Sequence, residues 1–398
     1  MSESYDPLAT VQAAGPPGTI SFIYGLPDPA TFPVDDLCRA ADHVLRTRPE
    51  VALQYGPEQG YGPLIDYLRD KLARDEGLTV ERPQIMLNRG SAQALDHICA
   101  LFARPGDVVV VEAPTYHETL QLFRDHGLRP VQVPTDGDGL LVDALAARLD
   151  ELAAVREPAR LLYLIPNYQN PGGITLAASR RQRILQLARA FDLLAIEDDV
   201  YRDLAYGGDE PPVSLFALER QDPPGTQGPG RVIRIGSFSK ILAPGLRLGW
   251  TLASPDHIQR LVHSGLSNMG GGANPLVANI VARYCRQGLL EPHLAHLRAV
   301  YSERRDAMLN ALRAHMPPGV EWTQPGGGFF IWLRLPPPLS AGETAARASE
   351  QGLLIPVGDP FFAEQPTGQY LRLAFSYVTP AKIREGIETL GDVIRAAS

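Results

Sequence analysis

Short apolar runs, each cut off by glycine, proline or polar residues before a stretch of helical periodicity, recur between residues 84 and 235. They are QIML (84–87), DVVVVE (107–112), RLLYLI (160–165), LLAIE (193–197) and RVIRI (231–235). Strands that alternate with helices in this way predict an α/β domain around a mostly parallel sheet. From about Pro292 the pattern changes: HLAHLRAVYSERRDAMLNALRAHM reads as one long helix, followed by the short apolar pieces GGGFFIWLRLP, GLLIPVGDPFF and YLRLAFSYV and a final helix. This predicts a smaller α+β unit. The expected division is an N-terminal arm with part of the small unit over 1–45, a large domain over 46–290, and a C-terminal domain over 291–398 that begins with the interdomain helix. GPPG (15–18), DPPGTQGPG (222–230) and PPPLSAGE (336–343) read as turns and loops.

In open α/β sheets ligands bind beyond the carboxyl ends of the strands, so the residues after each run are the candidates for chemistry. Gly90 and Ser91 follow the first run and open the helix SAQALDHICALF; APTY, ending in Tyr116, follows the second. PNYQNPGG with Asn170 follows the third, Asp198 and Tyr201 the fourth, and the Ser237–Ser239–Lys240 loop the fifth.

Composition narrows the partners. A length of 398 residues, 44% hydrophobic and 21% charged, is that of an ordinary globular protein with room for a large core. The formal charge of -8, with no basic block, argues against nucleic acid as a partner. Cys38, Cys99 and Cys285 lie far apart in apolar contexts and are expected as buried free thiols in a reducing compartment. The N-terminus has neither a basic nor an apolar leader region, and no apolar run is long enough for a membrane span, so the expectation is a cytoplasmic protein.

Of the 37 basic residues only Lys71, Lys240 and Lys382 are lysine. Lys71 and Lys382 sit in charge-studded helical patterns, where an exposed ammonium is the ordinary reading. Lys240 lies in a Ser/Gly segment after a strand. Lysine, unlike arginine, can lose its proton and attack a carbonyl.

GLPDPATFP (25–33), LQYGPEQGYGPL (53–64) and the S-x-S-K-x6-R match at 237–247 give nearly the whole chain a resemblance to the class I/II aminotransferases, closest to the kynurenine and α-aminoadipate aminotransferase branch. The resemblance implies the pyridoxal 5'-phosphate (PLP)-dependent transferase fold type I, with a mostly parallel seven-stranded sheet flanked by helices and a smaller α+β domain. It implies that Lys240 forms the Schiff base and carries the proton, and that Asp198 pairs with the pyridine nitrogen. Adjacent Asp199 is the rival that the family spacing D-x-x-Y disfavours. Asn170 and Tyr201 are implied at the phenolate oxygen, with Tyr116 stacked on the ring. Ser91, Ala92, Ser237, Ser239 and Arg247 form the implied phosphate cup. Arg372, Gly25 and Asn170 are implied at the substrate, and Tyr55 at the phosphate of a second subunit, which makes the active unit a homodimer. The sequence departs from the family at Arg89, at Ala92, in its short N-terminal arm and in the glycine-rich NMGGGANP (268–275).

The expected reaction is a ping-pong exchange of an amino group between 2-aminoadipate, an aromatic or another bulky amino acid and a 2-oxo acid such as 2-oxoglutarate. A PLP lyase on the same fold and an aminotransferase-like regulatory or cofactor-binding protein are the rival readings. The segment before Gly25 is too short for the DNA-binding domain such regulators carry.

Overall fold

The computed structural model describes residues 16, 18–207, 210–221 and 230–397; positions 1–15 and 17 of the expected N-terminal arm and the DPPGTQGP loop lie outside them. Its large sheet has eight strands in the spatial order Ile85–Asn88, Gly249–Leu252, Val232–Ser237, Leu194–Asp198, Ala159–Leu164, Val108–Ala113, Arg129–Asp136 and Gly139–Leu140. The five strands from Val232–Ser237 to Arg129–Asp136 run parallel to their neighbours. Gly249–Leu252 runs antiparallel to both of its neighbours, and the two-residue eighth strand closes an edge hairpin. That hairpin is the difference from the seven strands expected: Asp136 and Gly139 pair across a tight turn in which Gly139 has φ +93°.

The central strands are Val-, Leu- and Ile-rich because helices cover both faces, and all five residues of Leu194–Asp198 are buried. Helix Ser91–Phe102 turns Ala94, Leu95, Ile98, Cys99 and Phe102 inward, one face at helical spacing. It packs on Ile85–Asn88, Val232–Ser237 and Gly249–Leu252, which aims its N-terminus at the strands' carboxyl ends. The chain reverses direction across the sheet between Val108–Ala113 and Ala159–Leu164, the kind of switch point where a crevice opens.

Glu321–Trp322, Phe330–Leu335 and Gln369–Ala374 form an antiparallel sheet of their own. The long helix Leu290–His315, 26 residues, packs on the C-terminal helix Pro380–Ala397. Ile20–Ser21 pairs in parallel with Leu353–Leu354, so the residues ahead of Gly25 add to this second unit. Among the described residues no helix is long and apolar enough to cross a membrane.

Two expectations about side chains are corrected. Lys71 is buried, its Nζ 2.7 Å from both Asp75 Oδ2 and Asp203 Oδ1. An ammonium can be enclosed there because two carboxylates meet it. Cys38 is exposed, whereas Cys99 and Cys285 are buried. Helix Val34–Thr47 buries Ala40 and Val44 and leaves Cys38 outside that face.

Candidate active site

Five loops converge at the carboxyl ends of the parallel strands. Gly90, at φ +84°, turns the chain from strand Ile85–Asn88 into the helix that Ser91 and Ala92 open. Its missing Cβ matters, because an added one would sit 3.0 Å from the Arg247 guanidinium. Arg247 itself takes φ +45° after the short helical turn Pro244–Leu246. Ser91 and Ala92 thus present backbone N–H groups at a helix N-terminus beside a guanidinium, the ordinary chemistry of an anion site. Ser237 Oγ accepts the Ser239 N–H at 3.1 Å. The Ser239 hydroxyl is buried and has no partner.

Lys240 Nζ donates to the Gly25 carbonyl at 3.3 Å. Burial, the charge of Arg247 and, more weakly, Arg372 pull its ammonium down to about 8, against the opposing charge of Asp198. Asp198 is buried at the end of its strand. One oxygen, Oδ2, accepts from the Tyr163 hydroxyl at 2.7 Å, and the other, Oδ1, is buried without a partner. Burial raises this carboxyl to about 6, with the Tyr163 bond and Lys240 working against the rise and Asp199 adding to it.

Asp199 is committed elsewhere. Its oxygens accept from Asn167 Nδ2 at 2.5 Å and from Arg234 Nε at 3.0 Å. Arg234 in turn holds Glu76 through two bonds of 2.8 Å. Successive side chains of a strand point to opposite faces, and the two acids diverge accordingly.

Tyr201 is buried, edge-on to Phe329 and Phe330. Asn170 is also buried, and its Oδ1 accepts from Arg372 Nη1 at 2.9 Å. Arg372 comes from the small sheet. Its guanidinium lies 4.6 Å from the ring centre of Phe330 and 4.7 Å from that of Phe361, donates from Nη2 to the Ile23 carbonyl, and leaves Nε buried and unpaired. Burial lowers it to about 10, although Tyr201 and Tyr116 oppose the shift. A planar cation between two aromatic faces has little freedom to rotate. Tyr116 precedes helix His117–Asp125 and is close enough to feel both Arg372 and Asp198. Gly25 fits under Phe330, whose Cζ an added Cβ would approach to 2.2 Å.

One predicted residue, Tyr55, and one departure from the family pattern, Arg89, remain. Tyr55 is 83% exposed and rests against Gly270. Arg89 donates to the carbonyls of Gly272 (2.8 Å) and Gly270 (3.1 Å), and so is engaged by the glycine-rich segment instead of by the Ser91 turn.

Sequence reasoning missed Tyr163, Phe330 and Phe361. A hydroxyl-bearing aromatic within the otherwise aliphatic run RLLYLI was an available signal for the first. The phenylalanines carried none, since their role depends on Arg372 arriving between them.

A buried amine, a buried carboxylate with one free oxygen, an unpaired hydroxyl and a helix N-terminus with an arginine are the complements of an aldehyde, a ring nitrogen and a phosphate. Comparison with known proteins agrees. Residues 26–390 match the family described as Aminotransferase class I and II. The aromatic-amino-acid aminotransferase 1 of Thermococcus litoralis is 39% identical over 376 residues, covering 94% of this chain and 88% of the relative. The 2-aminoadipate transaminase of Thermus thermophilus is 38% identical over 381 residues, covering 95% and 91%. The crystal structure of Pyrococcus horikoshii kynurenine aminotransferase in complex with PMP aligns with a TM-score of 0.88 at 38% identity, covering 95% of this chain and 91% of that one. The family is PLP-dependent. With that fold, and with the family matched over nearly its whole length, this chain is an aminotransferase and belongs to the class I and II family.

Proposed function

We propose that the chain binds PLP at this site and exchanges an amino group between an aromatic amino acid, 2-aminoadipate or another bulky amino acid and a 2-oxo acid such as 2-oxoglutarate. The observation that carries the reading is the convergence of Lys240, Asp198 and Arg372, with Asp198 Oδ1 and Ser239 Oγ buried and unpaired. Ser91, Ala92, Ser237, Ser239 and Arg247 would hold the phosphate, Tyr116 the ring face, and Asn170 and Tyr201 the phenolate oxygen. When bound, the cofactor supplies an electron sink conjugated to the substrate Cα. The large unit, residues 46–290, would carry the cofactor, and residues 1–45 and 291–398 the smaller unit.

The protein's own groups do the rest. Arg372 offers a rigid fork to the α-carboxylate and so fixes the direction of the Cα–H bond. Lys240 Nζ, neutral for part of the time at a pKa of about 8, takes the proton from Cα and later returns it. Asp198 would keep a proton on the ring nitrogen. Phe330 and Phe361 hold the Arg372 guanidinium in place through their ring faces. Kynurenine, aromatic and 2-aminoadipate activities in the names of the relatives support the proposed range of amino acids.

The test is the visible spectrum of the PLP-loaded protein as single amino acids are added without any oxo acid. Conversion to the amine form with aromatic amino acids or 2-aminoadipate, reversed by 2-oxoglutarate, is expected. Release of ammonia without an acceptor would indicate a lyase instead.

A further inference from the structure

The proposed role of Asp198 leaves open what keeps one carboxylate oxygen free in a fully enclosed site. Tyr163 lies on the neighbouring strand Ala159–Leu164, fully buried, and its ring meets Phe123 edge-on at 5.6 Å between centres. Its hydroxyl donates to Asp198 Oδ2 at 2.7 Å and accepts from Thr119 Oγ1 at 3.3 Å. Thr119 is buried on helix His117–Asp125, one turn beyond Tyr116. The polarity of this chain is fixed: threonine donates to tyrosine, so the tyrosine proton is left for the carboxylate.

We propose that Tyr163, backed by Thr119, is a positioning residue that pins Asp198 by one oxygen, so that the other faces the cofactor ring as an anion. This rests on the reading that Asp198 pairs with the ring nitrogen. Other charged and titratable groups around the carboxylate are Asp199 on its own strand, Lys240 from the next loop, and Tyr116 and Tyr201. Glu112 faces Tyr163 from the strand beyond. Of these, Lys240 favours the ionised form and Asp199 disfavours it, and Tyr163 alone donates a hydrogen bond to the acid. Burial holds the phenol far above its ordinary range, so it remains a neutral donor at every working pH.

Removing the donor makes Asp198 keep its proton to higher pH, since a hydrogen bond to the charged form favours that form. A protonated Asp198 is a poor partner for a protonated pyridine. The experiment is therefore the affinity of the apoenzyme for pyridoxamine 5'-phosphate as a function of pH, read by calorimetry. This probe has no aldehyde, so Lys240 forms no covalent bond to it. In the wild type, affinity for the dianionic probe, corrected for the phosphate's own second ionisation at about 6, is expected to fall on the acid side with a midpoint at about 6. Tyr163→Phe, which keeps the ring packing, moves that midpoint up by about one pH unit while affinity at alkaline pH stays near wild type. Thr119→Val moves it the same way by less, and Asp198→Asn abolishes the acid limb.

An unshifted midpoint in both Tyr163→Phe and Thr119→Val, with the Asp198→Asn limb gone, overturns the proposal and leaves the role of Asp198 intact. Persistence of the limb in Asp198→Asn, or no binding by the wild type, removes that role and the proposal with it.

Discussion

The role proposed for Lys240 requires an ammonium when a proton is returned and a free amine when one is taken, and its surroundings decide how much of each is present. Burial and the charge of Arg247 lower it from the ordinary 10.5 to about 8 even with Asp198 nearby. Below that value the neutral fraction falls tenfold for each unit of pH. The rate at which apoenzyme captures PLP in a borohydride-trappable bond is accordingly expected to climb roughly tenfold per pH unit up to about 8, then level off. A rate still climbing toward the ordinary lysine value would show that the enclosure does not act on the amine. Lys240→Ala should form no such bond and turn nothing over. This residue was legible in the sequence because lysine is so scarce there and because it follows a strand.

Lys71 was misread because the feature that encloses it is an element far away in the chain. Its sequence neighbours are charged, and helix Gly62–Glu76 supplies only Asp75 at one-turn spacing. The second carboxylate, Asp203, is 132 residues away in the loop that also carries Tyr201. Lys71→Met would leave Asp203 facing the interior without its cation, a loss expected at about 3 kcal/mol. Combining it with Asp203→Asn should recover much of that in urea-denaturation midpoints, the coupling expected of a direct pair. Additive effects would mean that the ammonium answers to Asp75 alone. The strands divide along the same line. Val108–Ala113 and Leu194–Asp198 were legible as runs because both faces are buried, but Arg129–Asp136 alternates buried with exposed residues, contains two prolines and lies near the sheet edge. Gly249–Leu252, four residues opening with glycine, offers too little pattern to read.

At the scale of the whole molecule, the role proposed for Tyr55 requires a site built from two chains. It shares its surface with Leu53, 66% exposed, and Met269, 86% exposed, on two segments that touch where Gly56 meets Pro275 and Gly270 meets Tyr55. Arg89 braces the second segment through the Gly270 and Gly272 carbonyls, which ties this projecting face to the residue before the Gly90 turn. A homodimer that lends each Tyr55 to the partner's phosphate predicts complementation. Lys240→Ala lacks the amine, Tyr55→Ala lacks the donated hydroxyl, and each variant alone is poor at limiting PLP. When the two are unfolded together in equal amounts and refolded, half of the dimers are mixed, and each mixed dimer has one site with a native lysine and a native tyrosine. Activity should then return to about a quarter of the wild-type value. If Tyr55 served its own chain, no combination of these subunits would contain a complete site, and the mixture would be no better than the Tyr55 variant diluted by an inactive partner.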